Sequence, residues 1–123
     1  MNQATGNLRK VLRCEGLAIL ILSTLAFTYS EASWILFALL FLAPDLSLIG
    51  YLLGSKAGAM SYNATHSIIG PTICIGVGIL TGYHTQIAIG LIWSAHIGFD
   101  RSLGYGLKYT KGFKHTHLGK IGK

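Results

Sequence analysis

Three of the chain's four carboxylates and two of its five histidines lie inside otherwise apolar stretches: Glu15, Asp45, Asp100, His66 and His96. Aspartate, glutamate and neutral histidine are the ordinary ligands of Zn²⁺ and Mn²⁺, and a catalytic site uses about three of them plus water. His96 and Asp100 are four residues apart, so on a helix they share one face about a turn from each other. They offer two ligands, His66 a third, and Asp45 a fourth or a general base. Bound metal lowers the pKa of its water toward neutrality and so supplies a nucleophile for hydrolysis. The expected metal ligands are Asp45, His66, His96 and Asp100. The expected catalytic residues are Glu15, Asp45 and Arg101, with Tyr62, Asn63 and Lys108 on the substrate side. Arg101 and Lys108 would meet an anion.

Each residue alone has a plainer reading. Pro44-Asp45 marks a kink, Glu15 pairs with Arg9 or Arg13 at a membrane surface, and His96 with Asp100 makes a structural hydrogen bond. Tyr62, Asn63 and Thr65 are then only the polar start of a helix. The set carries more weight than its members, because a buried carboxylate without a partner is expensive.

Four segments approach the roughly 20 apolar residues that cross a bilayer. They run from about Val11 to Tyr29, from Trp34 to Leu53 around Pro44-Asp45, from Ala57 to Leu80, and from Gln86 to Tyr109. The links at 30–33, 54–56 and 82–85 are short, which makes neighbours antiparallel in an up-down bundle. With four crossings all ten Lys and Arg residues fall on one side, so both termini are expected in the cytoplasm. Tyr29, Trp34 and Tyr83 then belong to the opposite interface. At 1.5 Å of rise per residue the five ionisable groups, at least one from every helix, fall in the cytoplasmic half. Gly76 to Ile79 in the glycine-rich third segment is expected to touch a partner helix.

The composition excludes an ordinary soluble domain: 51% of residues are hydrophobic and 11% charged, with mean hydropathy +0.53, where soluble domains carry about 25% charged residues. The basic balance, ten Lys+Arg against four Asp+Glu, sits beside apolar runs and points to anionic lipid. Nucleic acid is not expected as a partner. Cys14 and Cys74 read as buried free thiols. The first apolar run follows a basic stretch and reads as retained rather than cleaved. Residues 110–123 form a separate basic tail after a transmembrane domain at 1–109, suited to the inner leaflet. A homo-oligomer or a membrane-protein partner stays open.

The string LAPDLSLIGYLLGSKAGAMSYNATHSIIGP, with WSAHIGFDRSLGYGLKY and the closing THLG, resembles the bacterial membrane family catalogued as domain of unknown function 4260. That resemblance covers about Arg13 to Gly119 and implies a small integral membrane protein with four helices, without implying an activity. Pro44-Asp45 and Thr65-His66-Ser67 are also similar to elements of the membrane-bound metal-dependent hydrolases related to YdjM. Ser47 stands where that pattern has a second aspartate, and Tyr62-Asn63 lies where it has His-Arg. The expectation is therefore an all-α, polytopic four-helix protein of the bacterial cytoplasmic membrane, and a Zn- or Mn-dependent hydrolase of a lipid or lipid-linked phosphate. Two other readings are a non-enzymatic bundle with a structural polar network, and a small transport or haem subunit with His66 and His96 as ligands.

Overall fold

In a bilayer each backbone group must be satisfied within its own segment, so long apolar runs become helices. The computed structural model describes residues 4–110 and 112–121. Its elements are α1 (Gly6–Tyr29), α2 (Trp34–Leu40), a 3-10 segment (Ala43–Leu53), α3 (Ser55–His66), α4 (Ile69–Thr81) and α5 (His84–Ser102). Gly6–Tyr29, Trp34–Leu53 and Ser55–Thr81 are long and apolar enough to cross a membrane. More polar than these, α5 packs against α1, α2 and α4. The protein is an all-α polytopic membrane protein of four helical segments.

The α1–α5 contact organises the bundle. At one end Phe27 packs with Ala88 and Ile92; at the other Gly16 lies under Arg101 and Ser102, so the two helices are antiparallel. A Cβ on Gly98 would stand 2.5 Å from the Leu20 nitrogen and 2.6 Å from the Gly16 oxygen. Without a hydrophobic drive between helices in lipid, such close backbone approach supplies the packing. In the stretch Gly76–Ile79, Gly78 does meet Ile87, but Gly76 faces open space. Rings of Phe27, Trp34, Phe37 and Phe41 follow one another down the bundle and end on His96, 5.5 Å from Phe41.

The second and third segments are each broken rather than continuous. A proline ring removes one helical hydrogen bond and collides with the carbonyl four residues earlier. Pro44 accordingly ends α2 at Leu40, and the chain continues as a 3-10 segment. Pro71 excludes helix through Ser67, which is extended at φ −79 and ψ 140 and separates α3 from α4. α5 stops at Ser102, not near Tyr109. Gly104 at φ +93 takes the left-handed position after the helix, where Gly104 N–H donates to Arg101 O and Tyr105 N–H to Asp100 O. This pair of bonds is the usual glycine stop.

The chain then folds back as a strap over the end of the bundle. β1 (His115–Thr116) pairs antiparallel with β2 (Gly119–Lys120), and Thr116 and Leu118 are fully buried. The Ala4 N–H donates to His117 O at 2.8 Å, so the start of the described chain lies against the strap. The strap is basic, yet it packs on protein: Lys108 is buried and Arg9 lies against Gly104 and Gly119. Lys111 and Lys123 lie outside the described residues. Cys14 is exposed, not buried, and both cysteines are free.

Two outcomes follow. Gly98→Ala should destabilise the bundle by about 1–3 kcal/mol, because only backbone stands in the way of the new methyl; unchanged resistance to denaturing detergent would contradict the packing. In the strap the Leu107 N–H donates to His117 Nδ1 at 2.8 Å. Burial, aided by nearby Arg101, holds this ring's pKa below its ordinary value. Above about pH 6.5 the ring is neutral whether folded or unfolded and nothing is lost; below it the unfolded strap takes up protons first, so strap stability falls with pH. Hydrogen exchange, corrected for its intrinsic rate, should rise at 112–121 between about pH 7 and pH 5. Constant protection over that range would contradict this.

Candidate metal centre

The broken helices deliver the polar groups. Asp45 follows Pro44 in the first turn of the 3-10 segment, His66 is the last residue of α3, and His96 and Asp100 occupy the buried face of α5. His66 Nε2 lies 3.0 Å from His96 Nε2. It lies 3.2 Å from Asp45 Oδ1 and 3.3 Å from Asp100 Oδ2. His96 Nε2 is 3.2 Å and 3.1 Å from the same two oxygens. Four ligand atoms, two nitrogens and two oxygens, thus fall within 4.8 Å of one another.

Hydrogen counting decides what such a cluster needs. His66 Nδ1 is 2.9 Å from the Tyr62 carbonyl, which can only accept, so Nδ1 carries the proton. Neutral His66 therefore directs a bare lone pair from Nε2 at His96 and at both carboxylates. At most one N–H from neutral His96 faces the same point. One hydrogen cannot serve five contacts of 3.0–3.3 Å. Protonating both rings would instead set two N–H groups against each other. A divalent cation held by Asp45, His66, His96 and Asp100 would meet these lone pairs and balance the two carboxylates. Metal bonds of about 2.0–2.2 Å imply tetrahedral edges of roughly 3.3–3.6 Å, near the five nitrogen-centred distances above, while the two carboxylate oxygens lie within 4.8 Å of each other.

Around His66 the supporting shell has the form expected of metal-bound histidine, with the second ring nitrogen held by a carbonyl, whereas His96 Nδ1 has no hydrogen-bond partner among the described residues. Tyr62 stacks on His66 with centroids 3.7 Å apart and planes 5° off parallel. Thr65 Oγ1 contacts His66 Nδ1 and Ser47 Oγ, both at 2.9 Å, and donates toward the Pro44 carbonyl region that precedes Asp45. Trp93 Nε1–H donates to the Thr65 carbonyl. The loose member is Asp45, its side chain 38% exposed against 12% for Asp100.

Both carboxylates line a cavity of about 260 Å³ with Leu48, Tyr62, Tyr105, Lys108, Phe113 and Ile121. Asn63 Nδ2 donates to Lys108 O at 2.8 Å, and Lys108 N–H donates to Asn63 Oδ1 at 2.6 Å. The Lys108 ammonium then lies 4.7 Å from the Tyr62 ring centre and 4.0 Å from that of Phe113. Burial lowers the Lys108 pKa to about 8 against the pull of Asp100 and Asp45.

The expected residues are not all in one place. Asp45, His66, His96 and Asp100 converge, and Tyr62 and Lys108 border the cavity. Arg101 Nη2 donates to the His66 carbonyl at 3.2 Å, holding the end of α3. Asn63 is spent on the strap backbone. Glu15 is exposed on α1 and enters no salt bridge among the described residues. Two imidazole nitrogens 3.0 Å apart leave no slot for a porphyrin between them. Tyr105 and Phe113 carry no local signal of the site, whereas Thr65 and Ser47 belong to the motifs around His66 and Asp45, where sequence alone gives them no role.

A family model described as "Domain of unknown function (DUF4260)" matches residues 9–121. No curated protein matches the chain, and no solved structure does.

Proposed function

The chain belongs to the DUF4260 family, and from that premise we propose a membrane-embedded hydrolase that uses one divalent metal, zinc or manganese, on a lipid or lipid-linked phosphate. The observation that carries this reading is the meeting of two imidazole nitrogens with two carboxylate oxygens at 3.0–3.3 Å. His66, His96, Asp100 and Asp45 hold the ion; when bound, it supplies a Lewis acid and a water of lowered pKa. Asp45, the most open of the four, faces the cavity and is the residue able to release a coordination position or take a proton. Tyr62 and Thr65 keep the His66 ring in its metal-binding tautomer. The apolar cavity wall suits a lipid-like substrate, and the basic residues at the start of α1 and in the strap suit the inner leaflet of a bacterial cytoplasmic membrane.

One feature favours a second reading. Four protein ligands complete a tetrahedron, the closed form of a structural metal site. The ion would then clip the 3-10 segment, α3 and α5 together without turnover.

Protein purified in mild detergent without chelator or a histidine tag should contain about one zinc or manganese per chain. His96→Ala and Asp100→Ala should lose it, and release of phosphate from a panel of lipid phosphates should fall at least about a hundredfold in them and on chelation. Folded protein without metal would sink both readings. Stoichiometric metal with no hydrolysis, and a fall in thermal stability on chelation, would establish the structural role instead.

A further inference from the structure

Lys108 is buried to 5% exposure, yet among the described residues its ammonium enters no salt bridge or hydrogen bond. Its backbone is fixed by the two bonds to Asn63, and its Nζ is held against the Tyr62 and Phe113 rings. It borders the cavity that Asp45 and Asp100 also line. Those carboxylates are engaged with His66 and His96 and stand beyond salt-bridge distance from Nζ. A desolvated ammonium without a counter-ion is unfavourable, and two aromatic faces offset only part of that. The strap thus presents, to a small space whose opposite wall is the metal-ligand cluster, a cation that has no contact ion pair among the described residues.

We propose that this cavity is an anion subsite for the phosphoryl group of an amphiphilic phosphate ester, with Lys108 as its counter-charge and the strap as its outer wall. A phosphoryl group has several oxygens on different faces, so one can meet Lys108 while another points at the cluster, the arrangement of cationic clamps on phosphoryl groups elsewhere. Leu48, Phe113 and Ile121 supply apolar wall for the first carbons of the ester. Asn63 is the positioning residue, since it carries the Lys108 backbone rather than touching the ligand. Turnover rests on the metal-hydrolase reading, and strong anion binding leans on it too, since Asp45 and Asp100 in the cavity wall repel an anion unless a cation balances them.

Calorimetry on the full chain as purified, with metal content measured on each sample, separates the two. Inorganic phosphate should bind, and hexyl phosphate should bind about tenfold more tightly because its chain is buried. Lys108→Met should keep wild-type metal content and lose at least about tenfold in affinity for both, while Lys108→Arg stays within a few-fold. In the wild-type protein, needing no variant, phosphate should slow reductive methylation of Lys108 several-fold without changing that of Lys56. Unchanged binding in Lys108→Met, or no protection of Lys108, overturns the subsite even if metal is stoichiometric. Equal binding of the two phosphates overturns its assignment to an ester. Absent metal with Lys108-dependent phosphate binding overturns the hydrolase reading and leaves the subsite standing.

Discussion

Two carboxylates and two imidazoles point at one place, an arrangement that governs the rest of the fold and that a divalent cation could satisfy. The four Nε2 and Oδ atoms lie within 4.8 Å of one another, and the His66 tautomer leaves too few hydrogens to join them. In a medium of low dielectric, two negative oxygens and opposed lone pairs are strongly unfavourable. A divalent ion would turn the same atoms into a neutral ligand shell. The remaining architecture follows from the need to bring those four groups together.

Two prolines and a few glycines do so. Pro44 and Pro71 each forbid helix through the residue four before them, and the breaks at Leu40 and Ser67 place Asp45 and His66 at helix ends, free of the regular ladder. Interrupted helices are tolerated at membrane depth when the freed groups line a protein interior; here Arg101, Thr65 and Trp93 take up the loose backbone carbonyls. Gly16 and Gly98 draw α1 against α5, seating His96 and Asp100 below the aromatic rings of α2. Gly104 then turns the chain, and the strap closes over the cavity.

Much of this could be read from sequence because charge inside an apolar run is costly and so conspicuous. Asp45, His66, His96 and Asp100 stood out for that reason, and they converge. Glu15 stood out equally but sits on the exposed face of α1, beside the Gly16 that meets Arg101; helix phase, not depth, separates it from the others. The breaks were legible only as kinks, since membranes accommodate proline in either form, although the residue at i−4 marks where each helix ends. Gly104 was a stop signal overridden by the apolar residues beyond it. The strap was hidden by its own composition: a basic, glycine-spaced segment looks solvated, and nothing in its sequence announces that Asn63, forty-five residues upstream of Lys108, pairs with its backbone. Contacts of that range are fixed by tertiary packing and leave no local pattern.

X-ray absorption at the metal edge of the protein as purified tests the central claim most directly. The expected first shell is nitrogen and oxygen at about 2.0–2.2 Å, with outer-shell scattering from two imidazole rings and no sulfur. Folded protein with no bound metal, or with a metal whose shell lacks imidazole, would contradict it.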